Sequence, residues 1–167
     1  MAGLLLIVLL STALGASLYD RDRKKVQTLS ALCSFIDEIY TGIRYTGSTV
    51  EEILDCCANN PIYSPLSFLK RIISESQKSC FSQSVVRKAI VDSSEEMNLK
   101  KDDLIPLLNM AEKLGTTDAV GQLQMLENCK NQLLELKSAQ IKRCDTLGKM
   151  YISLGLLFGI GTAVILA

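Results

Sequence analysis

The charged residues of this chain are confined to its middle. All 18 basic and all 18 acidic side chains lie between Asp20 and Lys149, which leaves residues 1–19 and 150–167 without a charged side chain. Uncharged ends of this length would give a soluble protein a large exposed apolar surface. A helix of 18 residues, at about 1.5 Å per residue, covers roughly 27 Å, close to the thickness of the bilayer hydrocarbon. The pattern therefore predicts a transmembrane helix at 1–19 and a second at 150–167.

The basic residues beside the two segments predict their orientation. Four follow the first segment and three precede the second, namely Arg21, Arg23, Lys24, Lys25, Lys142, Arg143 and Lys149. Basic residues that flank membrane helices stay in the cytoplasm. Both flanks thus give the same topology: a cell-membrane protein with a cytoplasmic domain over residues 20–149 and both termini outside.

Two other interpretations of the end segments are open. Ala13, Gly15, Ala16 and Ser17 could form the cleavage site of a signal peptide. A signal peptide has basic residues before its apolar core, whereas here they follow it, so a retained anchor is favoured. The other alternative, in which both ends form a buried hairpin in a soluble protein, ranks lower.

Composition argues against most catalytic chemistry. The chain has no histidine, which removes Ser-His-Asp and Cys-His nucleophile systems and histidine-ligated metals. It also lacks a phosphate-binding loop, and its zero net charge, without a basic stripe, gives nucleic-acid binding little support. No catalytic, cofactor-binding or metal-binding residue is therefore predicted.

The six cysteines form no C-x-x-C pair. In a cytoplasmic domain they are expected to be reduced and to behave as small apolar side chains. The adjacent Cys56 and Cys57 allow a redox pair or a metal ligand. The favoured interpretation is one core thiol and one surface thiol.

Apolar periodicity predicts an all-α domain of about six helices. The first runs from Arg23 to about Arg44 and can continue directly out of the membrane segment. The next three are expected to begin at a Ser48–Glu51 capping box, at Ser64 with Pro65 in first position, and near Val85, with Met97 as the furthest candidate residue of the last. A fifth begins near Asp102 and ends at Gly115, and a sixth begins at Thr117–Asp118 and continues into the bilayer.

Small residues are spaced four apart in both membrane segments. Ser11 and Gly15 form one pair, and Gly155 and Gly159 form the other. Such spacing lets helix backbones approach closely, so helix–helix packing is predicted there. The alternative is that glycine and serine are simply common in membrane helices.

The C-terminal third carries a family resemblance. It contains the stretch 114–122, LGTTDAVGQ, which includes Leu114, Gly115, Asp118 and Gln122, and the stretch 149–155, KMYISLG. These stretches resemble the stage III sporulation protein AB family of endospore-forming bacteria. The turn at 47–50, GSTV, departs from that family, which tends to place a proline there.

The resemblance implies a component of the sporulation channel complex, on the mother-cell side of the forespore envelope. The family's soluble domain is similar to the cytoplasmic domain of the inner-membrane platform proteins of type II secretion and type IV pilus systems. In such machines this domain passes the motions of a secretion ATPase to the membrane assembly. The family offers no catalytic residues to transfer.

These observations predict a non-enzymatic membrane-anchored adaptor. The resemblance implies the ATPase and other membrane components of the complex as its partners, and oligomers are compatible with the sequence. Glu51, Glu52 and Asp55 form an acidic patch that is the predicted partner contact. One alternative is a platform protein of an actual secretion or pilus system, which usually carries two such domains where this chain has room for one. The other, a membrane-bound enzyme, is weakened by the missing histidine and nucleotide motif.

Overall fold

The computed structural model describes the backbone of residues 2–76, 81–115 and 118–166, with side chains for 19–76, 81–115, 118, 120–148 and 150. Within these ranges the chain forms six α-helices and no strand, which confirms the all-α prediction. The helices are α1 (Ala2–Thr41), α2 (Val50–Ala58), α3 (Ser67–Ser76), α4 (Gln83–Asp92), α5 (Ile105–Lys113) and α6 (Ala119–Leu166). A π-helical turn (Gly42–Thr46) and two 3-10 turns (Pro61–Tyr63 and Lys101–Leu104) lie between them.

The two longest helices form an antiparallel pair. α1 has 40 residues and α6 has 48, and neither is interrupted. Asp37 of α1 pairs with Lys130 of α6 at 2.6 Å, whereas Asp22 accepts a 2.8 Å hydrogen bond from Gln140, further along α6. The uninterrupted helices confirm that the first and last helices of the domain are continuous with the end segments.

The core lies between this pair and the short helices. α2, α3, α4 and α5 each pack against the next in sequence, and α5 packs against α6. Phe35 of α1 makes edge-on contacts with Phe68 and Tyr63, with ring centroids 5.6 and 6.2 Å apart. The largest fully buried side chains are Phe35, Phe68, Leu29, Leu32, Ile36, Ile39, Leu66, Leu69, Ile72, Ile90, Met97 and Leu107.

The predicted membrane segments fall almost entirely outside the described side chains. Within the part of the chain that the structure describes, no helix has an apolar stretch long enough to cross a bilayer. Of the segments 1–19 and 150–167, side chains are described only for Tyr19 and Met150. The packing residues Ser11, Gly15, Gly155 and Gly159 lie outside the described side chains as well.

The start of α2 lies one residue later than predicted. Thr49, not Ser48, caps the helix: its hydroxyl accepts from the Glu52 amide at 3.3 Å, and the Glu52 carboxylate accepts from the Thr49 amide at 3.0 Å. The Ser48 hydroxyl lies 2.7 Å from Thr46 Oγ1 and interacts with the preceding turn instead. The predicted motif is correct, but its register is wrong.

The start predicted for α3 is also wrong. Asn60 and Pro61 open a 3-10 turn there, with the Asn60 side chain accepting from the Ile62 amide at 3.0 Å. Ser64 ends that turn, and α3 begins only at Ser67. The sequence contains two pairs of a capping residue and a proline, Asn60–Pro61 and Ser64–Pro65. The first pair begins a 3-10 turn, and the second pair begins no helix.

Further along the chain, the start predicted for α5 near Asp102 is wrong, because Asp102 lies in the 3-10 turn and α5 begins at Ile105. α4 ends at Asp92, so Met97 lies in the turn that follows it, where its side chain is buried. Pro106 is the second residue of α5, where its missing amide hydrogen costs no helical bond. Gly115 has φ of +80° directly after the helix, which confirms it as the C′ residue.

Candidate partner-binding surface

The adjacent cysteines differ in exposure as predicted. Cys56 is exposed and Cys57 is buried. Burial, followed by the nearby charges of Glu38 and Cys56, raises the pKa of Cys57 to about 12. Burial likewise raises the pKa of Cys129 to about 12. The thiolate is the reactive form of cysteine, so Cys57 and Cys129 are poor nucleophiles near neutral pH. Cys80 lies outside the described residues.

A groove of about 370 Å³ separates α5 from α6. Its lining is Pro106, Asn109, Met110, Lys113, Gly121, Gln124, Met125, Asn128, Cys129 and Gln132. This lining contains no carboxylate and no hydroxyl, and the Cys129 thiol donates to the Pro106 carbonyl at 3.5 Å. Across the side chains that are described, no three His, Cys, Asp or Glu residues come together in a way that could hold a metal ion. The groove is therefore a poor setting for acid–base or metal chemistry.

The residues that carry the family resemblance build the turn between α5 and α6. The buried Leu114 accepts a 3.1 Å hydrogen bond from Gln83 at its carbonyl. Asp118 immediately precedes α6, and its carboxylate accepts from the Gly121 amide at 3.2 Å. The Gln122 amide donates to the Asp118 carbonyl at 3.0 Å. These contacts end one helix and begin the next.

The predicted acidic patch divides into two kinds of residue. Glu51 and Asp55 lie one turn apart on α2 and are exposed. Glu52 is exposed too, but its carboxylate accepts the Thr49 amide in the capping box. Its negative charge also stabilises the N-terminus of α2. A partner contact through this patch stays a prediction, and Glu51 and Asp55 are its available members.

Sequence reasoning missed an exposed cluster at the end of α1. The Arg44 guanidinium donates to the Tyr40 hydroxyl at 2.7 Å. It also lies over the Tyr40 ring at 5.7 Å and over the Tyr45 ring at 5.3 Å, measured to the ring centroids. Tyr45 is 71% exposed. Tyr40, Arg44 and Tyr45 are referred to below as the YRY cluster.

The turn that carries the YRY cluster is tightly built. The Thr46 hydroxyl donates to the Gly42 carbonyl at 2.7 Å, and Gly47 adopts φ of +62°. A Cβ atom on Gly42 would lie 2.9 Å from Ile53 Cγ1 and still closer to Cδ1, so glycine lets α2 pack against the end of α1. π-Helical turns are rare and often occur at functional sites.

One sequence signal could have revealed Arg44. Positions three and four residues away on either side hold Tyr40, Thr41, Gly47 and Ser48. None of these is acidic, so no carboxylate is available along the helix to form the usual intrahelical ion pair. An arginine that has a tyrosine four residues before it, and no acidic residue three or four residues away, favours stacking of the guanidinium on the tyrosine ring.

Comparison with known proteins identifies a family. The profile of the stage III sporulation protein AB family matches residues 1–167, which is the whole chain. No curated protein and no solved structure matches significantly. The family match agrees with the resemblance carried by residues 114–122 and 149–155. The chain belongs to the stage III sporulation protein AB family.

Proposed function

We propose that this protein is a membrane-anchored adaptor that passes motions of a cytoplasmic secretion-type ATPase to a sporulation channel complex. The observation that carries the proposal is the continuity of α1 and α6. Each runs without a break from the domain core into one of the uncharged end segments. A continuous helix transmits a displacement along its axis better than a chain with a flexible linker.

Side chains along the helix pair support a coupled movement. Lys130 bridges to Asp37, and Asp22 accepts from Gln140 and lies 3.4 Å from the Arg143 guanidinium. Polar contacts at several levels oppose sliding of α1 along α6. A push on the short helices would therefore move both end segments together.

The membrane orientation is part of the proposal. The uncharged ends and the basic residues beside them support two membrane helices with the domain in the cytoplasm. The family implies that this cytoplasm is the mother-cell side of the forespore envelope. A variant that retains only the exposed Cys56 gives the test. When the protein is produced in vegetative cells, whose membrane faces the medium, its thiol should resist a membrane-impermeant maleimide in intact cells and react after permeabilisation, while a tag after Ala167 stays accessible outside. Labelling of Cys56 in intact cells would contradict the orientation.

We also propose that the two membrane segments pack against each other. Tyr19 lies opposite Gly148, where a Cβ atom would be 3.7 Å from the tyrosine ring. Continuing this antiparallel register brings Ser11 to within about one residue of the level of Gly155, so these two small residues would meet. Gly155→Leu should then weaken assembly of the complex, whereas Leu157→Ile, which adds no volume, should not. Equal assembly by both variants would contradict the packing.

A role through contact and not chemistry is supported by the missing histidine, the raised pKa of the buried thiols of Cys57 and Cys129, and the amide-lined groove. The acidic patch supplies a testable surface. Glu51→Lys with Asp55→Lys reverses two exposed charges and leaves Glu52 in its cap. Charges at the rim of an interface act mainly on the association rate. Binding of the full-length protein in nanodiscs to the ATPase should slow, and more so at low salt.

The matched control reverses two exposed acids elsewhere, Asp92→Lys with Glu95→Lys at the end of α4. If both double variants bind at the same rate, the patch is not the contact. If the unaltered protein does not bind the ATPase at any ionic strength, the adaptor proposal itself fails.

A further inference from the structure

We infer that the YRY cluster is a docking point for a carboxylate-bearing surface of the cytoplasmic partner. The inference rests on the proposed adaptor function and adds a site and a partner chemistry to it. It concerns residues outside the acidic patch on α2 and of opposite charge.

The first argument is the pairing of arginines in the domain. Outside the basic cluster beside the first uncharged segment, Arg71 of α3 pairs with Glu96, Arg87 of α4 with Glu112 and Arg143 of α6 with Asp22. For Arg44 the described residues provide no carboxylate; its contacts are the hydroxyl and rings of two tyrosines. A guanidinium has five donors, and the Tyr40 hydroxyl accepts from only one nitrogen. The remaining donors are free to bind a carboxylate with two parallel hydrogen bonds.

The second argument is preorganisation. Arginine loses side-chain entropy on binding, which weakens most surface arginines as contacts. Here two aromatic rings and a hydrogen bond hold the guanidinium before a partner arrives. Arginine and tyrosine are also the residue types that contribute most often to binding hot spots. The exposed Tyr45 ring offers apolar area around the charge, which can exclude water from an ion pair once the surface is covered.

The third argument is position. Arg44 follows Tyr19 by 25 residues, about 37 Å along a helix axis. Basic clusters can attract anionic lipid headgroups, but that attraction falls off within about 8–10 Å at physiological salt. A group this far from the uncharged segment along α1 is suited to a protein that approaches from the cytoplasm. This favours a carboxylate of a protein over a phosphate of a lipid.

The test measures binding of the full-length protein in nanodiscs to the ATPase. Arg44→Ala should weaken binding at least tenfold, and Tyr45→Ala should weaken it by a smaller factor. Arg44→Lys should recover only part of the loss, because lysine keeps the charge without the planar fork. Arg87→Ala is the matched control, an exposed arginine with a carboxylate partner, and should stay within twofold. Circular dichroism and urea unfolding should show each variant folded.

A second measurement locates the contact. A photo-crosslinking residue at Tyr45 should crosslink to the ATPase in sporulating cells, and one at the exposed Val91 on α4 should not. Mapping the crosslinked peptide should identify an acidic segment, and neutralising its carboxylates should reproduce the Arg44→Ala loss.

Four results would overturn the inference. Unchanged ATPase binding by Arg44→Ala, with normal binding of the unaltered protein, would remove the site while leaving the adaptor function intact. A crosslink from Tyr45 to a second copy of this chain would make the cluster a self-association surface. Loss of binding to anionic vesicles, with ATPase binding unchanged, would make it a lipid contact. A mapped crosslink on a segment without carboxylates would refute the proposed partner chemistry.

Discussion

Lys25 and Arg44 are cations near opposite ends of the domain's part of α1, and their surroundings differ. The Lys25 ammonium lies 2.5 Å from the Asp103 carboxylate, and the two side chains are only 13% and 10% exposed. Asp103 also accepts a 2.8 Å hydrogen bond from the Lys100 amide. Arg44 is exposed and contacts aromatic rings in place of a carboxylate.

The difference shows how burial divides the work of charged residues in this protein. A charge shielded from water requires a partner, since an unpaired buried charge costs several kcal/mol. The Lys25–Asp103 pair therefore belongs to the fold, where it ties the 3-10 turn before α5 to α1. An exposed cation has no such requirement, so Arg44 can keep donors available for another molecule.

Breaking the buried pair should have the largest effect on stability. Lys25→Met keeps the apolar stem but leaves the Asp103 carboxylate without its cation, and should lower the free energy of unfolding by about 3 kcal/mol. Urea unfolding of the full-length protein in detergent micelles measures the change. Lys24→Met, at the exposed neighbouring position, should change it by less than about 0.5 kcal/mol. Similar losses in both variants would mean that the pair does not contribute to the fold.

At the other end of α1, backbone packing should matter more than charge. Gly42→Ala places a methyl group against Ile53 and should cost about 1–3 kcal/mol through overpacking. Adding Ile53→Val removes the nearest methyl group, so the double variant should lose less than the sum of the single losses. Additive losses in urea unfolding would show that the contact between Gly42 and Ile53 is not the cause.

The cap of α2 distinguishes two neighbouring hydroxyls. Thr49→Ala removes an acceptor for the Glu52 amide and should cost about 1 kcal/mol. Ser48→Ala removes only an exposed contact to Thr46 and should cost less than about 0.5 kcal/mol. If thermal or urea unfolding shows a larger loss of stability for Ser48→Ala than for Thr49→Ala, then Ser48 is the cap, as the sequence predicts.

The smallest effect is expected for an exposed ion pair. Arg87 and Glu112 are 50% and 54% exposed at the side chain, so water screens their attraction. Arg87→Ala should lower the free energy of unfolding by less than about 1 kcal/mol. A loss of stability as large as that of Lys25→Met would contradict the view that buried ion pairs stabilise this fold and exposed ones contribute little.

Local patterns predicted the helices well and their beginnings less well. The apolar periodicity predicted a helix from Arg23, and within it Leu29, Leu32 and Ile36 are buried in α1; Gly115 marked the end of α5. The predicted beginnings of α2 and α3 were wrong because serine, threonine and asparagine are all good helix caps. In each case two residues that can cap a helix lie close together in the sequence. The choice between them depends on hydrogen bonds a few residues away.

The candidate surface was the least predictable part. Glu51 and Asp55 could be identified as exposed acids from the pattern of α2. The YRY cluster required the π-helical turn, which brings the Tyr45 and Tyr40 rings to the same guanidinium. An ordinary helical continuation would not predict that arrangement, because adjacent residues such as Arg44 and Tyr45 do not face each other on an α-helix.

The sequence by itself determined the separation of charged and uncharged segments, the all-α class, the family and the end of α5 at Gly115. These properties depend on residues close together in the chain. The tertiary structure decided that Asp103 is buried with Lys25, 78 residues away in sequence, and that Cys57 is the core thiol beside an exposed Cys56. It also decided that the Arg44 guanidinium contacts Tyr40 and Tyr45 and that no carboxylate among the described residues pairs with it. Burial and pairing depend on which helices meet, and that follows from the packing of the whole domain.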